Sequence, residues 1–434
     1  MQLRLKHILY GLFMLALWAP FLQSEFQLID EVKLGGDVRN TATNPTLNRN
    51  AWFSGQYQSE KTDYIQQSLG FRNSLIKLNN QIAYSVFNYA KANGVIVGKS
   101  NYLMEEGYIH SYLGTDLIGD SALRSQVFKA KRIQDTLKKL NIEFLVALTL
   151  GKGAFYPEYI PDRYLKSKKD TNNYDVLSRE LKSKGVNLLD LYDLLLKMKD
   201  TSKYPLFPKN GTHWSQYAEL LVSDTLAKFI GNLRGKPLPN LRLGKIRTSK
   251  TMWGTDDDIE KGMNLIFDIP DLEMAYAEYE VIEGENTEKP KVLSIGDSFF
   301  WGFYYYDFTR LLFDDSPFWY YNRQVYKPEE EVKLVDDLNL KEEVESKDVV
   351  LIMLTDSHFD KLGFGFVDKL YEVYFEPEIY QKKLAIKVVK EQILNNQEWY
   401  ESLKKVASEE GRPLEDVIEE NAIYMVNVNS EKKK

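Results

Sequence analysis

A serine at the end of a short apolar stretch is the first residue in this chain whose setting suggests chemistry. Residues 290–301 predict a strand, a tight Gly296-Asp297-Ser298 turn and an aromatic-rich helix. A serine in that position exposes its hydroxyl, and backbone N–H groups at the helix start can hold a developing oxyanion. Asp and Ser are also favoured as helix caps. The turn alone therefore leaves both interpretations open, a nucleophile and a cap.

A nucleophilic serine needs a general base, and the chain offers four histidines. His213 lies in a Gly-containing turn, residues 210–214, directly before a helical pattern, and His358 follows a predicted strand. His7 falls in an apolar amino-terminal segment, and His110 lies in a Tyr- and Gly-rich stretch. His213 and His358 thus stand where turns or strands meet helices, which is where α/β enzymes place their sites.

Alternating helical and strand patterns surround these residues. Apolar runs predict strands over 142–148, 186–191, 290–296, 318–326 and 348–354. Helical periodicity lies between them, over 121–140, 174–184 and 213–233. Such alternation is typical of a parallel sheet with flanking helices, so the fold class is predicted to be α/β.

The chain is predicted to have four parts. Residues 1–24 form a signal peptide or membrane anchor, and residues 25–94 a linker followed by a helical segment. Residues 95–365 form the sheet domain, within which 234–289 are the least regular. Residues 366–434 are predicted to be a helical appendage.

The first residues have the pattern of an export signal. Arg4 and Lys6 precede an uncharged run over 8–22. A helix of that run is about 22 Å long, shorter than a ~30 Å hydrocarbon core unless flanking residues snorkel. No Ala-x-Ala cleavage site follows, so a cleaved signal and an uncleaved anchor both stay open. The positive-inside rule predicts that the rest of the chain lies outside the cytoplasm in either case.

Composition excludes several classes of function. The net charge of −7 argues against nucleic acid as a partner, because no basic face is evident. The absence of cysteine excludes disulfides, Cys-ligated zinc and thiol catalysis. The acidic run over 256–258 lacks the alternate-ligand spacing of a calcium loop and indicates a solvated loop or a helix start. Neither a metal nor a cofactor is predicted.

Two motifs together resemble one enzyme family. Gly296-Asp297-Ser298-Phe299 and Thr212-His213-Trp214-Ser215 are similar to motifs of the SGNH-type O-acetyltransferases that modify exopolysaccharides in the bacterial periplasm. The alginate acetylation proteins are the best-known members. Segments 52–55, 70–73 and 97–103 look like the amino-terminal signature of that family. The histidine motif precedes the serine motif, as in the permuted version of the SGNH hydrolase-like fold.

The resemblance implies a function and its partners. Ser298 would form an acetyl-enzyme, with His213 as general base and then general acid. The acceptor would be a secreted or cell-surface polysaccharide, and a membrane-bound O-acyltransferase would supply the acetyl group. The location would be the periplasm, with the amino-terminal segment at the inner membrane. Two alternatives remain, a carbohydrate esterase that uses the same residues and a non-catalytic polysaccharide-binding or scaffold protein.

One departure from the family pattern concerns the group that orients the histidine. Gly211 stands where the family has an aspartate. Neutralising the corresponding aspartate of one studied triad lowers the rate by about four orders of magnitude. An acid from elsewhere, a backbone carbonyl or an inactive site would each account for the glycine. Asp356, which follows the predicted strand over 348–354, is the candidate acid.

Substrate contacts are assigned to four further residues. Trp214 and Asp297 are neighbours of the two catalytic candidates in the chain. Lys152 and Arg163 follow the strand over 142–148, so they could point into the same crevice. They would bind acidic sugar carboxylates or the polar end of the acyl donor. Simple surface solvation is the alternative for both cations.

Overall fold

A seven-stranded sheet forms the centre of the molecule. The computed structural model describes residues 2–36 and 42–431. Its strands, in chain order, are β1 (Val95–Val97), β2 (Leu103–Glu105), β3 (Glu143–Thr149), β4 (Leu188–Asp190), β5 (Asn240–Ser249), β6 (Met274–Ile282), β7 (Val292–Gly296), β8 (Phe318–Tyr320), β9 (Gln324–Tyr326), β10 (Lys333–Leu334) and β11 (Val349–Thr355). Within the described residues, the large sheet has the order β10-β9-β8-β7-β11-β3-β4.

The core of this sheet is parallel. Strands β8, β7, β11, β3 and β4 pair in parallel, and β9 and β10 add an antiparallel edge. β7 and β11 are buried at every position. A parallel sheet covered on both faces requires such continuous apolar strands, which explains why these runs were recognisable in the sequence. The predicted α/β fold with a mostly parallel sheet is confirmed.

Helices flank this sheet, and further helices lie at the amino and carboxyl ends of the chain. They are α1 (Gln2–Phe26), α2 (Arg49–Phe53), α3 (Gln56–Ser68), α4 (Arg72–Phe87), α5 (Glu106–Leu113), α6 (Asp120–Lys139), α7 (Lys152–Phe155), α8 (Asp162–Leu165), α9 (Asn173–Lys184), α10 (Leu191–Met198), α11 (Gln216–Arg234), α12 (Asp258–Met263), α13 (Trp301–Tyr305), α14 (Phe308–Leu312), α15 (Leu340–Glu345), α16 (Phe366–Phe375), α17 (Pro377–Asn395), α18 (Gln397–Glu410) and α19 (Leu414–Glu431). α6 packs against both α9 and α16. Its apolar stripe, which includes Val127, Ala130, Ile133 and Leu137, is buried.

Two regions differ from the prediction. The strand predicted over 318–326 is a hairpin of β8 and β9, because Tyr321 and Asn322 have positive φ and reverse the chain. The irregular segment 234–289 contains a two-stranded ribbon of β5 and β6 with α12 in its connection. Most of β5 is exposed, so this strand has no buried alternation that the sequence could reveal.

The carboxyl-terminal helices have a small core of their own. Side chains from α17, α18 and α19, such as Ile393, Leu403 and Ala422, form a separate cluster. α16, in contrast, buries Phe366 and Leu370 in the main core. We therefore propose that the appendage begins at Pro377 rather than at residue 366.

Among the described residues, the first helix is the one that is long and apolar enough to cross a membrane. Residues Leu5–Phe26 have a mean hydropathy of 1.5 over 22 residues, which corresponds to about 33 Å of helix. The end of α1 contacts the turn between α3 and α4, where Ser24 donates to the carbonyl of Ser68 at 2.9 Å. A signal sequence has the same length and composition as a membrane-spanning helix. Both interpretations, an uncleaved anchor and a cleaved signal, therefore stay open.

Export can be tested with a fusion. We expect residues 1–40, joined to a reporter that works only in the cytoplasm, to give little reporter activity, because the basic residues before the apolar helix direct the remainder outward. A fusion of residues 27–40 is the matched control and should remain active. Full activity of the longer fusion would contradict export.

Candidate active site

Ser298 lies at the carboxyl end of β7, on a single 3₁₀ turn that leads into α13. The preceding residue fixes this turn, because Asp297 accepts the backbone N–H of Phe299 at 3.0 Å. Its other oxygen accepts the backbone N–H and the hydroxyl of Thr355 at 2.8 and 2.7 Å, at the end of β11. Asp297 is fully buried and both of its oxygens are used inside the protein. The prediction that it binds substrate is therefore wrong.

His213 bridges the serine and an acid. Its Nε2 lies 3.0 Å from Ser298 Oγ, which is the contact expected from the two motifs. Its Nδ1 lies 2.7 Å from Oδ2 of Asp258. The imidazole is mostly buried and lies against the ring of Phe299, with the centroids 4.9 Å apart. The three side chains form a continuous chain from carboxylate to hydroxyl, the order that a Ser-His-Asp triad requires.

Asp258 is the first residue of α12, and both of its carboxylate oxygens contact residues of the histidine turn. Oδ1 accepts the backbone N–H of Thr212 at 2.8 Å while Oδ2 contacts the imidazole. Burial alone would lower the pKa of His213, but the hydrogen bond and the charge of Asp258 outweigh it, so the pKa is raised. The arrangement favours the tautomer with the proton on Nδ1, which leaves Nε2 free to accept the serine proton.

Asp356 does not orient the histidine, so that prediction is wrong. It directs Oδ1 to the backbone N–H of Gly151 at 3.0 Å, in the turn after β3. Burial raises the pKa of Asp356 to about 8, which keeps the carboxyl mostly neutral at pH 7. Asp356 was the candidate because it follows β11. Its side chain instead lies against the turn after the neighbouring strand, β3, and not beside His213.

The absent side chain at Gly211 makes room for the acid. A Cβ at this position would lie 2.6 Å from the carbonyl oxygen of Asp256 and would also strike that of Thr255. The segment before α12 therefore passes directly over the backbone of residue 211 and brings Asp258 to the imidazole. The glycine is compatible with an oriented histidine because the carboxylate comes from the β5–β6 connection.

Two of the residues predicted to contact the substrate, Lys152 and Trp214, are buried. Lys152 is buried and its Nζ donates to the carbonyls of Lys209 and Gly211 at 2.6 and 2.9 Å. Burial lowers its pKa to about 7. Trp214 is also buried, against Phe299, and donates to Glu219. Both residues hold the histidine turn, and their predicted substrate roles are wrong because neither is accessible.

Arg163 is exposed on α8, with its guanidinium 5.0 Å from the centre of the Tyr164 ring. Its substrate role stays a prediction. His358, the alternative base, packs against Tyr321 with the ring centroids 5.5 Å apart. His213 already occupies the place beside Ser298 that a base needs.

A comparison with protein families finds one model that matches part of the chain. Residues 77–260 match the family model described as "SGNH hydrolase-like domain, acetyltransferase AlgX". The predicted family resemblance is confirmed, and the fold is the SGNH-like arrangement of a parallel sheet flanked by helices. The matched region includes His213 and Asp258 and ends before Ser298. No curated protein matches the sequence.

Solved structures add weak likenesses. The O-acetyltransferase domain of Pseudomonas putida AlgJ is 13% identical with a TM-score of 0.42, over 64% of this chain and 99% of that chain. Pseudomonas aeruginosa AlgX is 12% identical with a TM-score of 0.39, over 63% and 67%. Bacillus cereus PatB1 with a sulfonyl adduct is 12% identical with a TM-score of 0.37, over 57% and 93%. At these scores the structures carry no argument about the site.

Removal of the Asp258 carboxylate should affect the reaction rather than the fold. We expect Asp258→Asn to lower kcat/KM for an acetyl ester by about 10³–10⁴-fold, because the imidazole loses its orienting acceptor. Steady-state kinetics measures the loss. Asp257→Asn is the matched control, because Asp257 pairs with Lys261 rather than with the imidazole. Equal rates for the two variants would contradict the role of Asp258.

The space at Gly211 can be tested in the same way. We expect Gly211→Ala to reduce the free energy of unfolding by about 1–3 kcal/mol and to lower activity, because the new methyl group meets two carbonyl oxygens. Thermal unfolding and kinetics measure the two effects. Gly262→Ala is the control, because nothing lies within 4 Å of its Cβ position and alanine favours the helix. A fully active, stable Gly211→Ala protein would contradict the close approach.

Proposed function

We propose that this protein is an O-acetyltransferase that acetylates a secreted or cell-surface polysaccharide through an acetyl-Ser298 intermediate. The observation that carries the proposal is the 3.0 Å contact between His213 Nε2 and Ser298 Oγ, with Asp258 on the far side of the ring. The match to an acetyltransferase family model supports the type of reaction.

In the first half-reaction, Ser298 Oγ attacks the carbonyl carbon of the acetyl donor while His213 Nε2 takes the hydroxyl proton. The negative charge of Asp258 stabilises the imidazolium that forms. The backbone N–H of Ser298 is one candidate donor to the oxyanion. The tetrahedral intermediate then collapses, the donor's leaving group takes the proton from His213, and the acetyl group remains as an ester on Ser298.

In the second half-reaction, a sugar hydroxyl of the acceptor gives its proton to His213 and attacks the acetyl ester. The Oγ–carbonyl bond breaks, and Oγ regains its proton from the imidazolium. The acetyl group leaves on the sugar oxygen and the enzyme returns to its starting state. Water as the attacking molecule would give acetate instead, which is the esterase reaction.

The partners follow from the same proposal. A membrane-bound O-acyltransferase would supply acetyl groups on the outer side of the membrane, and α1 would bring this chain to that membrane. The apolar span of Leu5–Phe26 supports a site beside the membrane in the periplasm. Arg163, which is exposed on α8, remains our candidate contact for an acidic sugar or for the donor.

Two alternatives are separable by experiment. A carbohydrate esterase would release acetate from a chromogenic ester without acetylating an added oligosaccharide. The scaffold hypothesis depended on the missing aspartate at residue 211, and the contact of Asp258 with His213 removes that support.

The acetyl-enzyme itself is the direct test. We expect brief incubation with a chromogenic acetyl ester to add one acetyl group to the protein, on Ser298, because His213 activates that hydroxyl. Intact-mass measurement followed by peptide mapping locates it. Ser298→Ala should remain unlabelled, and Ser249→Ala, a change at the end of β5 where the hydroxyl donates to the carbonyl of Thr251, should label normally. Labelling at another residue, or none, would contradict the proposal.

The rate should depend on pH through His213. Only the neutral imidazole accepts a proton, so kcat/KM should fall as the pH drops below the raised pKa of His213. Asp258→Asn removes the interaction that raises the pKa of His213. The fall of the residual activity on the acid side should therefore move to a lower pH. A limb that stays in place in this variant would contradict the assignment. Asp257→Asn should leave the profile unchanged.

A further inference from the structure

The outward face of α4 is apolar. Its exposed apolar residues over 72–86 are Leu75, Leu78, Ile82 and Val86. Each is between 47% and 68% exposed, and the intervals of three or four residues place them in one stripe along the helix. The remaining exposed residues of this stretch are uncharged: Ser74, Asn79 and Ser85. A helix that faces water ordinarily presents charged residues outward, so this face is typical of one that meets an apolar environment.

The connection after α12 extends this apolar face. The backbone N–H groups of Ile266 and Phe267 both donate to the side-chain oxygen of Gln81 at 3.0 Å. Both residues are exposed beside the helix, at 46% and 70%. Phe87, the last residue of α4, is exposed as well. The exposed apolar residues of this surface, here named the α4 patch, are Leu75, Leu78, Ile82, Val86, Phe87, Ile266 and Phe267.

The start of α4 is packed on the last turns of α1. A Cβ at Gly70, in the turn before α4, would lie 2.4 Å from the carbonyl oxygen of Pro20, so the two backbones are in direct contact. Asn73, in the first turn of α4, donates its side-chain amide to the carbonyl of Val32 at 2.9 Å. Pro20 lies inside the apolar span Leu5–Phe26, about 9 Å from its end. When α1 crosses a membrane, the beginning of α4 therefore lies at the level of the interface.

The inner side of α4 is attached to the helix of the catalytic acid. The Asn80 side chain donates to the carbonyl of Met263, the last residue of α12, at 2.8 Å. Tyr84 packs against the buried cluster that contains Met263 and Ile259. Asp258 is the first residue of the same short helix. The position of α4 therefore also determines where the active site lies relative to α1.

We propose that the α4 patch lies on the lipid surface of the membrane that α1 crosses, with its apolar side chains at the boundary between headgroups and acyl chains. The inference rests on the proposed placement of α1 in a membrane. It goes further, because a single spanning helix does not fix the height of the domain that follows it. An interfacial helix buries its apolar face about 5–10 Å into this boundary, and the uncharged outward face of α4 can enter it without burying a charge. The contacts with α12 then hold the active site at a fixed height beside the membrane.

Fluorescent labelling of the full chain tests this placement, because the chain has no cysteine of its own. Ile82→Cys carries an environment-sensitive dye, and the protein is reconstituted into phosphatidylcholine vesicles with a lipid that bears a quencher at a shallow acyl carbon. We expect the dye at residue 82 to lose roughly half of its emission, because the patch lies in the quencher's layer. Val86→Cys, one turn further along the same face, should behave alike. Ser125→Cys, an exposed position on α6, is the matched control, and its emission should not change.

A label in the middle of α1, Leu15→Cys, separates the possible results. Quenching at residue 15 without quenching at residues 82 and 86 would overturn the inference and leave the anchor in place. No quenching at residue 15 would overturn both. Equal quenching at residues 82 and 125 would overturn the inference, because the dye would then report no specific contact. Shielding of residue 82 only after a membrane-bound acyltransferase is added would show a protein contact and would also overturn it. Acetyl-Ser298 formation tests the proposed reaction separately.

Discussion

The contact between Asp258 and His213 is the interaction on which the rest of the site depends. It requires two things that lie far apart in the chain, a histidine turn without a side chain at residue 211 and a ribbon connection that delivers α12 to that turn. Lys152, buried beneath, ties the same turn with two hydrogen bonds to its carbonyls. Without the carboxylate, the imidazole would have no acceptor that selects the tautomer needed at Ser298.

The serine is held by a different part of the molecule. β7 and β11 lie side by side in the buried centre of the sheet, and Asp297 joins the end of one to Thr355 at the end of the other. The nucleophile is thus fixed by the rigid core, whereas the base and the acid come from loops that pack onto it. Such a division is common in α/β enzymes, where the carboxyl ends of the strands carry the site and the connections complete it.

The sequence predicted the parts of this design that have a local signature. Apolar strands, the serine turn and the histidine motif are each readable within about ten residues. Asp258 is not, because it lies 45 residues after His213, next to two other aspartates and after a strand, β5, that is largely exposed. Its only signal was an acidic run at a helix start. Lys152 is the opposite case, a residue that was predicted to contact substrate and is buried instead. Nothing in the sequence around a lysine indicates that its amino group will be buried against backbone carbonyls.

The tautomer of His213 is the most direct test of the account. With only four histidines in the chain, ¹⁵N NMR of histidine-labelled protein can assign the ring by comparison with His213→Gln. We predict a proton on Nδ1, with a strongly downfield resonance from its hydrogen bond to Asp258, and an unprotonated Nε2 above the pKa of the ring. A neutral ring with its proton on Nε2 would contradict it.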